Sequence, residues 1–221
     1  MENSKSRILG RLRRHTHLSA RLEPGAAESD PQWLAQQPPL GDLAERFIAE
    51  ASAVAAEVRP IRDWKSLEAV VPAWLVGVGV KTVMMGEEPR LAPLRKAISA
   101  QPGLAVLDWR GPVEEQRPEI FAVDCGITTA LGALAETGTL ILSPTPAEPR
   151  LLSLAPPVHL AVVERGSLYG RLAEYAARGD YQRTRPTNLV LITGPSRTAD
   201  IELILALGVH GPRRLLVALV G

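Results

Sequence analysis

Cysteine is almost missing from this sequence. Cys125 is the one thiol among 221 residues, so no disulfide can form within the chain. A single thiol also falls short of the set of thiolates that holds an ordinary iron–sulfur cluster. Such low cysteine content is typical of a reducing compartment, and we expect a cytoplasmic protein that carries no cluster of its own.

Aromatic side chains and an excess of either charge are also lacking. Aromatic residues make up 4% of the chain, which argues against a sheet face on which nucleic-acid bases stack. The 25 basic and 24 acidic residues nearly cancel, so a general polyanion-binding surface is not expected. No apolar run reaches the ~18 residues of a membrane span, and the charged start lacks the apolar core of a secretory signal. We therefore expect neither a membrane span nor a nucleic-acid partner.

The first 40 residues differ from the rest in composition. Basic residues accumulate over positions 1–22, and several prolines follow before residue 40. This pattern predicts an N-terminal arm over 1–40, made of a short amphipathic helix and an extended linker. The arm either contacts an acidic partner or nucleic acid, or is a solvated helix, and the second interpretation is favoured for a chain end. A separate α/β domain is predicted over 41–221.

Apolar residues take up helical spacing after Asp42. The spacing predicts one helix from Leu43 to Val58, ending at Pro60, and a second helix over 64–76 that is kinked or split at Pro72. Short apolar runs then alternate with helical stretches. Strands are predicted at 80–85, 104–107, 120–125, 158–163, 188–193 and 215–220, and helices at 91–100, 167–178 and 199–207. The alternation predicts an α/β fold with a mainly parallel, Rossmann-like sheet covered on both faces.

Residues 130–143 interrupt this alternation. The segment ALGALAETGTLILS predicts two strands around the turn Glu136-Thr137-Gly138-Thr139, where Gly138 can adopt a positive φ. Glu136 is a candidate nucleophile, base or hydrogen-bond acceptor, and Thr137, Gly138 and Thr139 are candidate ligand contacts. The alternative is an ordinary solvated turn.

A second polar segment follows the predicted strand 188–193. Its candidate ligand contacts are Thr193, Gly194, Pro195, Ser196, Arg197, Thr198 and Asp200. Ligands of parallel sheets bind outside the carboxyl ends of strands, on loops that lead into helices. Ser196 or Thr198 can cap the predicted helix, whose first amides attract an anion, while Arg197 can hold a carboxylate or phosphate. The alternative is a plain capped helix whose dipole is satisfied by Asp200.

The turn Val209-His210-Gly211-Pro212 is the third candidate element. It is predicted to end the helix 199–207, with Gly208 as the terminating glycine. His210 is a candidate acid, base or carboxylate donor, and Gly211 lies next to it in the chain. A structural histidine is the alternative and the more common role.

Other polar residues and missing motifs limit the chemistry further. Arg150 is a candidate anion contact or a salt-bridge partner, and His159 is expected in the core because its strand is apolar. No P-loop lysine follows a glycine-rich segment. Gly77 and Gly79 lack the third glycine of a dinucleotide fingerprint, because Thr82 stands in its place. The chain therefore shows no redox centre of its own.

These motifs, in this order, resemble the LUD-domain family. The resemblance is carried by ETGTLIL at 136–142, PRLLSLAPPVHLAVV at 149–163, and TGPSRTADIE with GVHGP between 193 and 212. It covers roughly residues 40–221. It implies a fold of the NagB/RpiA/CoA-transferase type, in agreement with the predicted alternation of strands and helices.

The resemblance also implies a role in the machinery that oxidises L-lactate to pyruvate through iron–sulfur proteins. Its cysteine-rich iron–sulfur subunits are the implied partners, and the clusters are expected on them. This chain is then an accessory, cluster-free component that binds a small carboxylate or organises its partners. The alternative, by analogy of fold alone, is a CoA-transferase-like enzyme with Glu136 as nucleophile. We expect Glu136, Arg197 and His210 to share one cleft.

Overall fold

The computed structural model describes residues 36–111, 113–178, 186, 188–199, 205–208 and 210–221. Residues 1–35, which hold most of the predicted basic arm, lie outside this part of the chain. The arm and its boundary after residue 40 therefore stay predictions.

Strands and short helices alternate along the described chain. The helices are α1 (Leu43–Ala53), α2 (Trp64–Gly77), α3 (Ala92–Ala100), α4 (Val113–Ala122), α5 (Leu151–Leu154) and α6 (Leu172–Ala177). The strands are β1 (Glu57–Ile61), β2 (Thr82–Met85), β3 (Ala105–Asp108), β4 (Cys125–Thr129), β5 (Gly132–Leu134), β6 (Thr139–Leu142), β7 (Val158–Glu164), β8 (Leu168–Tyr169), β9 (Val190–Ile192), β10 (Arg197–Ala199), β11 (Leu205–Leu207) and β12 (Arg214–Val220). Within the described ranges, no helix combines the length and apolar character needed to cross a bilayer.

A six-stranded sheet in the order β1-β12-β7-β4-β2-β3 forms the centre of the fold, and all its neighbouring strands are parallel. A second, four-stranded sheet has the order β8-β5-β6-β9, and β10 pairs with β11 in a separate antiparallel pair. The prediction of an α/β fold with a mainly parallel sheet is therefore confirmed.

Alternate residues of each strand point to opposite faces of the central sheet, and both faces are buried along β2, β4, β7 and β12. Leu216 of β12 enters the cluster beneath α2 and α3, which contribute Leu75 and Ile98. The next residue, Val217, enters a cluster with Phe47 of α1 and the second sheet. The second sheet thus covers one face of the first, and this packing positions the loops that follow β5, β6 and β9.

In the N-terminal half, α1 is shorter than predicted and is followed by a strand that was not predicted. α1 ends at Ala53 rather than near Pro60, because Ala55 adopts a left-handed φ of 69° that a helix cannot continue. Residues 57–61 form β1, and Pro60 is tolerated there because β1 is an edge strand of the sheet. Of the kink or split predicted at Pro72, the split does not occur. α2 runs continuously through Pro72.

Further along, three predicted elements differ from the structure. The apolar residues from Ile120 end α4 rather than begin a strand, and β4 starts at Cys125. The predicted helix 167–178 divides into β8 and α6. The predicted helix 199–207 is wrong, because β10 and β11 pair across Arg197 and Leu207. Residues 200–204, including Asp200, lie outside the described chain.

Gly138 lies where the turn between β5 and β6 packs against α1. It has a φ of 65°, and a Cβ added there would lie 2.2 Å from the Ala51 backbone nitrogen. We expect Gly138→Ala to lower the free energy of unfolding by roughly 2–5 kcal/mol, through backbone strain and overpacking. The matched control is Gly79→Ala, where φ is 84° but no atom lies within 4 Å of the added Cβ.

The control should lose only about 1 kcal/mol, because strain alone acts there. Urea unfolding of both variants measures the difference. Equal losses would show that the contact between the turn and α1 adds nothing to stability.

Candidate functional site

A cavity of about 450 Å³ lies beside β9 and the loop that follows it. Its described walls are Val54, the α5 residues Ser153 and Leu154, residues 190–197 and residues 210–212. Parts of two of the three predicted elements, residues 193–197 and the 210–212 turn, therefore meet at one cavity, whereas Thr198 is not among its described walls.

The position of this cavity differs from the expectation. Val54, Leu154 and Pro212 line it, and each precedes the start of a parallel strand by a few residues. The cavity therefore lies near the amino ends of β1, β7 and β12, not outside their carboxyl ends. The reason is that β9 pairs antiparallel with β6 in the second sheet and does not join the parallel sheet.

Backbone hydrogen bonds hold the arginine loop against the histidine turn. The Ser196 N–H donates to the Pro212 carbonyl at 2.8 Å, and the Gly208 N–H donates to the Ser196 carbonyl at 3.0 Å. Gly208 adopts a φ of 74°, which turns the chain at this point. These bonds bring Arg197 and His210 to the walls of the same cavity.

The other side of the loop packs against the end of α1. A Cβ added to Gly194 would lie 2.7 Å from the Val54 carbonyl oxygen, so a larger residue would displace one of the two backbones. One guanidinium nitrogen of Arg197 donates to the same oxygen at 3.2 Å. A guanidinium has several N–H groups, so this bond orients Arg197 and leaves donors for a ligand.

The predicted capping role of Ser196 or Thr198 is wrong. Arg197–Ala199 form strand β10, so the described residues of this segment offer no helix start and no helix dipole. Pro195, Ser196 and Gly211 line the cavity as loop residues. Any attraction for an anion therefore comes from side-chain charge rather than from a helix terminus.

The ionisable side chains among the described cavity walls are all basic. Arg197 and His210 are the ionisable side chains among the described wall residues, and no carboxylate is found among them. Both residues are exposed. The described walls therefore carry a cation and a histidine beside mainly apolar side chains, which suits an organic anion.

Glu136 faces a different environment from the one predicted. Its carboxylate accepts from the Arg171 Nε at 3.0 Å, and it is absent from the described cavity walls. The Arg171 side chain is 9% exposed, and its Nη2 also donates to the Pro38 carbonyl at 2.9 Å. Glu136 thus neutralises a buried cation, and the structure does not bring it together with Arg197 and His210.

Hydroxyl groups connect the Glu136 turn to the cavity instead. The Oγ1 atoms of Thr137 and Thr139 lie 2.6 Å apart, and those of Thr139 and Thr193 lie 2.6 Å apart. Thr139 is buried, whereas Thr193 lines the cavity. The threonines of the turn therefore orient the Thr193 hydroxyl at the cavity wall.

Glu148 is a polar residue that the sequence reasoning missed. Its carboxyl group accepts from the Thr129 N–H at 3.0 Å and from the Thr129 hydroxyl at 2.6 Å. Burial raises its pKa above the ordinary value. With exposed Arg150, it borders a void of about 10 Å³, which is too small for an organic ligand. In the sequence, Glu148 is marked only as the single carboxylate of the proline-rich segment after β6.

The core holds a polar pair at His159 and Thr128. His159 is fully buried, as predicted, and its Nε2 lies 2.9 Å from the Thr128 hydroxyl. Its Nδ1 has no hydrogen-bond partner among the described residues. Burial lowers the His159 pKa to about 3, so the ring is neutral at physiological pH.

Neither a thiol nor a metal centre adds to this chemistry. Cys125 is buried, and burial raises the pKa of its thiol. In the part of the chain that the structure describes, no three side chains of His, Cys, Asp or Glu gather as a metal-binding group.

Comparison with known proteins assigns the family. The model of the LUD domain matches residues 44–220. The chain belongs to the LUD-domain family. A crystal structure of a DUF162 family protein from Deinococcus radiodurans is similar to this LUD domain, with a TM-score of 0.57 and 25% sequence identity. The match covers 83% of this chain and 100% of that chain.

Curated relatives match over shorter stretches. An uncharacterized protein of Neisseria meningitidis is 35% identical over 144 residues, which are 64% of this chain and 61% of the relative. Lactate utilization protein C of Exiguobacterium sp. is 36% identical over 119 residues, or 51% and 52% of the two chains. Its namesake in Bacillus subtilis is 35% identical over 118 residues, or 50% and 48%. The matched region thus spans roughly half of the length of these relatives.

His159 predicts a pH dependence of stability. Its pKa is about 3 in the folded protein against an ordinary 6.5, so below pH 6.5 the unfolded chain takes up a proton that the folded chain refuses. The free energy of unfolding should therefore fall as pH falls from 6.5 towards 3, by roughly 1 kcal/mol for each pH unit from this group.

Urea unfolding at several pH values, compared with the variant His159→Gln, isolates the contribution. The variant should be less stable near pH 7 and should lose less stability on acidification. Parallel pH profiles for the two proteins would contradict the assignment.

Proposed function

We propose that this LUD domain binds a small organic anion and serves as an accessory, cluster-free component of lactate oxidation. The observation that carries the proposal is the one-sided charge of the cavity, where Arg197 and His210 stand among described walls that hold no carboxylate. The proposal for lactate is supported by the relatives named lactate utilization protein C.

The arrangement favours binding over covalent chemistry. Arg197 supplies planar N–H donors that match a carboxylate, the Thr193 hydroxyl is oriented by Thr139, and His210 supplies a further donor or acceptor. Electrons would then pass through iron–sulfur partners in the cytoplasm, because Cys125 is the one cysteine of this chain and is buried.

A CoA-transferase-like reaction through Glu136 has less support. A nucleophilic carboxylate must reach the acyl carbon of its substrate. Glu136 instead pairs with the largely buried Arg171 and is absent from the described walls of the cavity. Attack would break this pair and leave the largely buried guanidinium with its longer contact to Glu174, at 3.9 Å, which is costly.

Isothermal titration tests the anion site directly. The titrants are L-lactate, pyruvate, acetate and inorganic phosphate, each added to the full chain. We expect at least one to bind, and Arg197→Gln to weaken that binding by about tenfold or more, because a charge-assisted hydrogen bond is lost. The matched control is Arg117→Gln, an exposed arginine of α4 outside the cavity. Unchanged affinity in Arg197→Gln would contradict the site.

The proposed role in lactate oxidation is tested in the native cell. Removing the gene should abolish growth on L-lactate and leave growth on other carbon sources unchanged. The wild-type chain and Arg117→Gln should restore growth, whereas Arg197→Gln should not. A tagged chain isolated from these cells should carry cysteine-rich iron–sulfur proteins with it. Normal growth on L-lactate without the gene would refute the role.

A further inference from the structure

Strand β9 leaves one backbone edge without a strand partner among the described residues, and this open edge lies beside the cavity. It is the last strand in the order β8-β5-β6-β9, and its register pairs Ile192 with Leu140 and Leu191 with Ile141. The Ile141 carbonyl accepts from the Leu131 N–H, on the β5 side of β6. Successive residues of a strand direct their backbone groups to opposite sides. Leu140 therefore bonds Ile192, and Leu191 directs its N–H and C=O away from the sheet.

The cavity lies along this open edge. Leu191 lines it, and its side chain is 47% exposed. A backbone N–H and C=O at such an edge bond either to water or to another extended chain, and they provide a template for strand addition.

The volume of the cavity leaves room for an occupant larger than a three-carbon acid. At about 30 Å³ for each non-hydrogen atom, such an acid fills less than half of the 450 Å³. About two residues of an extended peptide fill the space by the same measure. The peptide backbone would also form hydrogen bonds with the N–H and C=O groups of Leu191, which a purely aliphatic chain cannot do.

The charge at the end of the strand determines which part of a peptide fits. Arg197 follows β9 in the chain and lines the same cavity, and the described walls hold no carboxylate that would repel an anion. A peptide carries a carboxylate at its C-terminus regardless of its sequence. The apolar walls at Leu154 and Pro212 suit an apolar last side chain.

We propose that the cavity binds the C-terminal end of a partner polypeptide as an added strand. The last residues pair with the outward backbone of Leu191, an apolar final side chain packs on Leu154 and Pro212, and the terminal carboxylate binds Arg197. Strand addition and capture of a C-terminal carboxylate are both established ways to recognise peptides. The inference rests on the proposed function in one respect, because it uses the same anion-binding arginine.

The carboxylate contact is tested with a fluorescein-labelled peptide, Thr-Thr-Val-Leu, with either a free C-terminus or a C-terminal amide. Fluorescence polarisation with the full wild-type chain should show the amide binding at least tenfold more weakly. In Arg197→Gln, the acid and the amide should bind within about twofold of each other. Arg117→Gln should keep the wild-type difference. Equal binding of acid and amide to the wild type overturns the proposal.

The backbone contact is tested by methylating, one at a time, the last two internal amide nitrogens of the peptide. In an added strand neighbouring amides point to opposite sides, so one methylated peptide should bind at least fivefold more weakly and the other within about twofold. Leu191→Ala should keep this pattern, because it keeps the backbone donor. Equal effects of the two methyl groups overturn strand addition.

Binding of small anions distinguishes a failure of this inference from a failure of the proposed function. If L-lactate, pyruvate, acetate or phosphate binds in an Arg197-dependent way and the peptides do not bind, the strand inference fails and the anion site stands. If neither small anions nor peptides bind, both fail.

Discussion

Two loop backbones lie directly against the end of α1, and this contact fixes where the second sheet packs. Gly138 lies against Ala51, and Gly194 lies against the Val54 carbonyl. Both loops belong to the second sheet, since one joins β5 to β6 and the other follows β9. A side chain at either glycine would push this sheet away from α1, and with it the wall that carries Arg197.

The same contact explains why the two halves of the cavity have different characters. Residues 190–192 belong to β9 of the second sheet and Arg197 begins β10, whereas Leu154 and Pro212 lead into strands of the parallel sheet. The cavity therefore lies at the boundary between the two larger sheets. Arg197 and His210 come from separate segments that backbone hydrogen bonds hold together.

The sequence predicted the parts that follow from local periodicity. The strands at 158–163 and 215–220 were right because continuous apolar runs of that length are buried on both sides in a parallel sheet. The turn at Gly138 was right because few residues adopt its φ. The helix 199–207 was wrong because residues 197–199 and 205–207 pair with each other as antiparallel strands, which apolar spacing alone does not reveal. The partner of Glu136 was missed because Arg171 is 35 residues away and no local pattern connects them.

The burial of Cys125 limits the thiol chemistry that is open to the folded chain. The thiol lies in the central sheet, and burial raises its pKa, so the nucleophilic thiolate is scarce and shielded from other proteins. Thiol–disulfide exchange at Cys125 is thereby disfavoured in the folded chain. Cross-linking of this thiol to another protein would require the central sheet to open first.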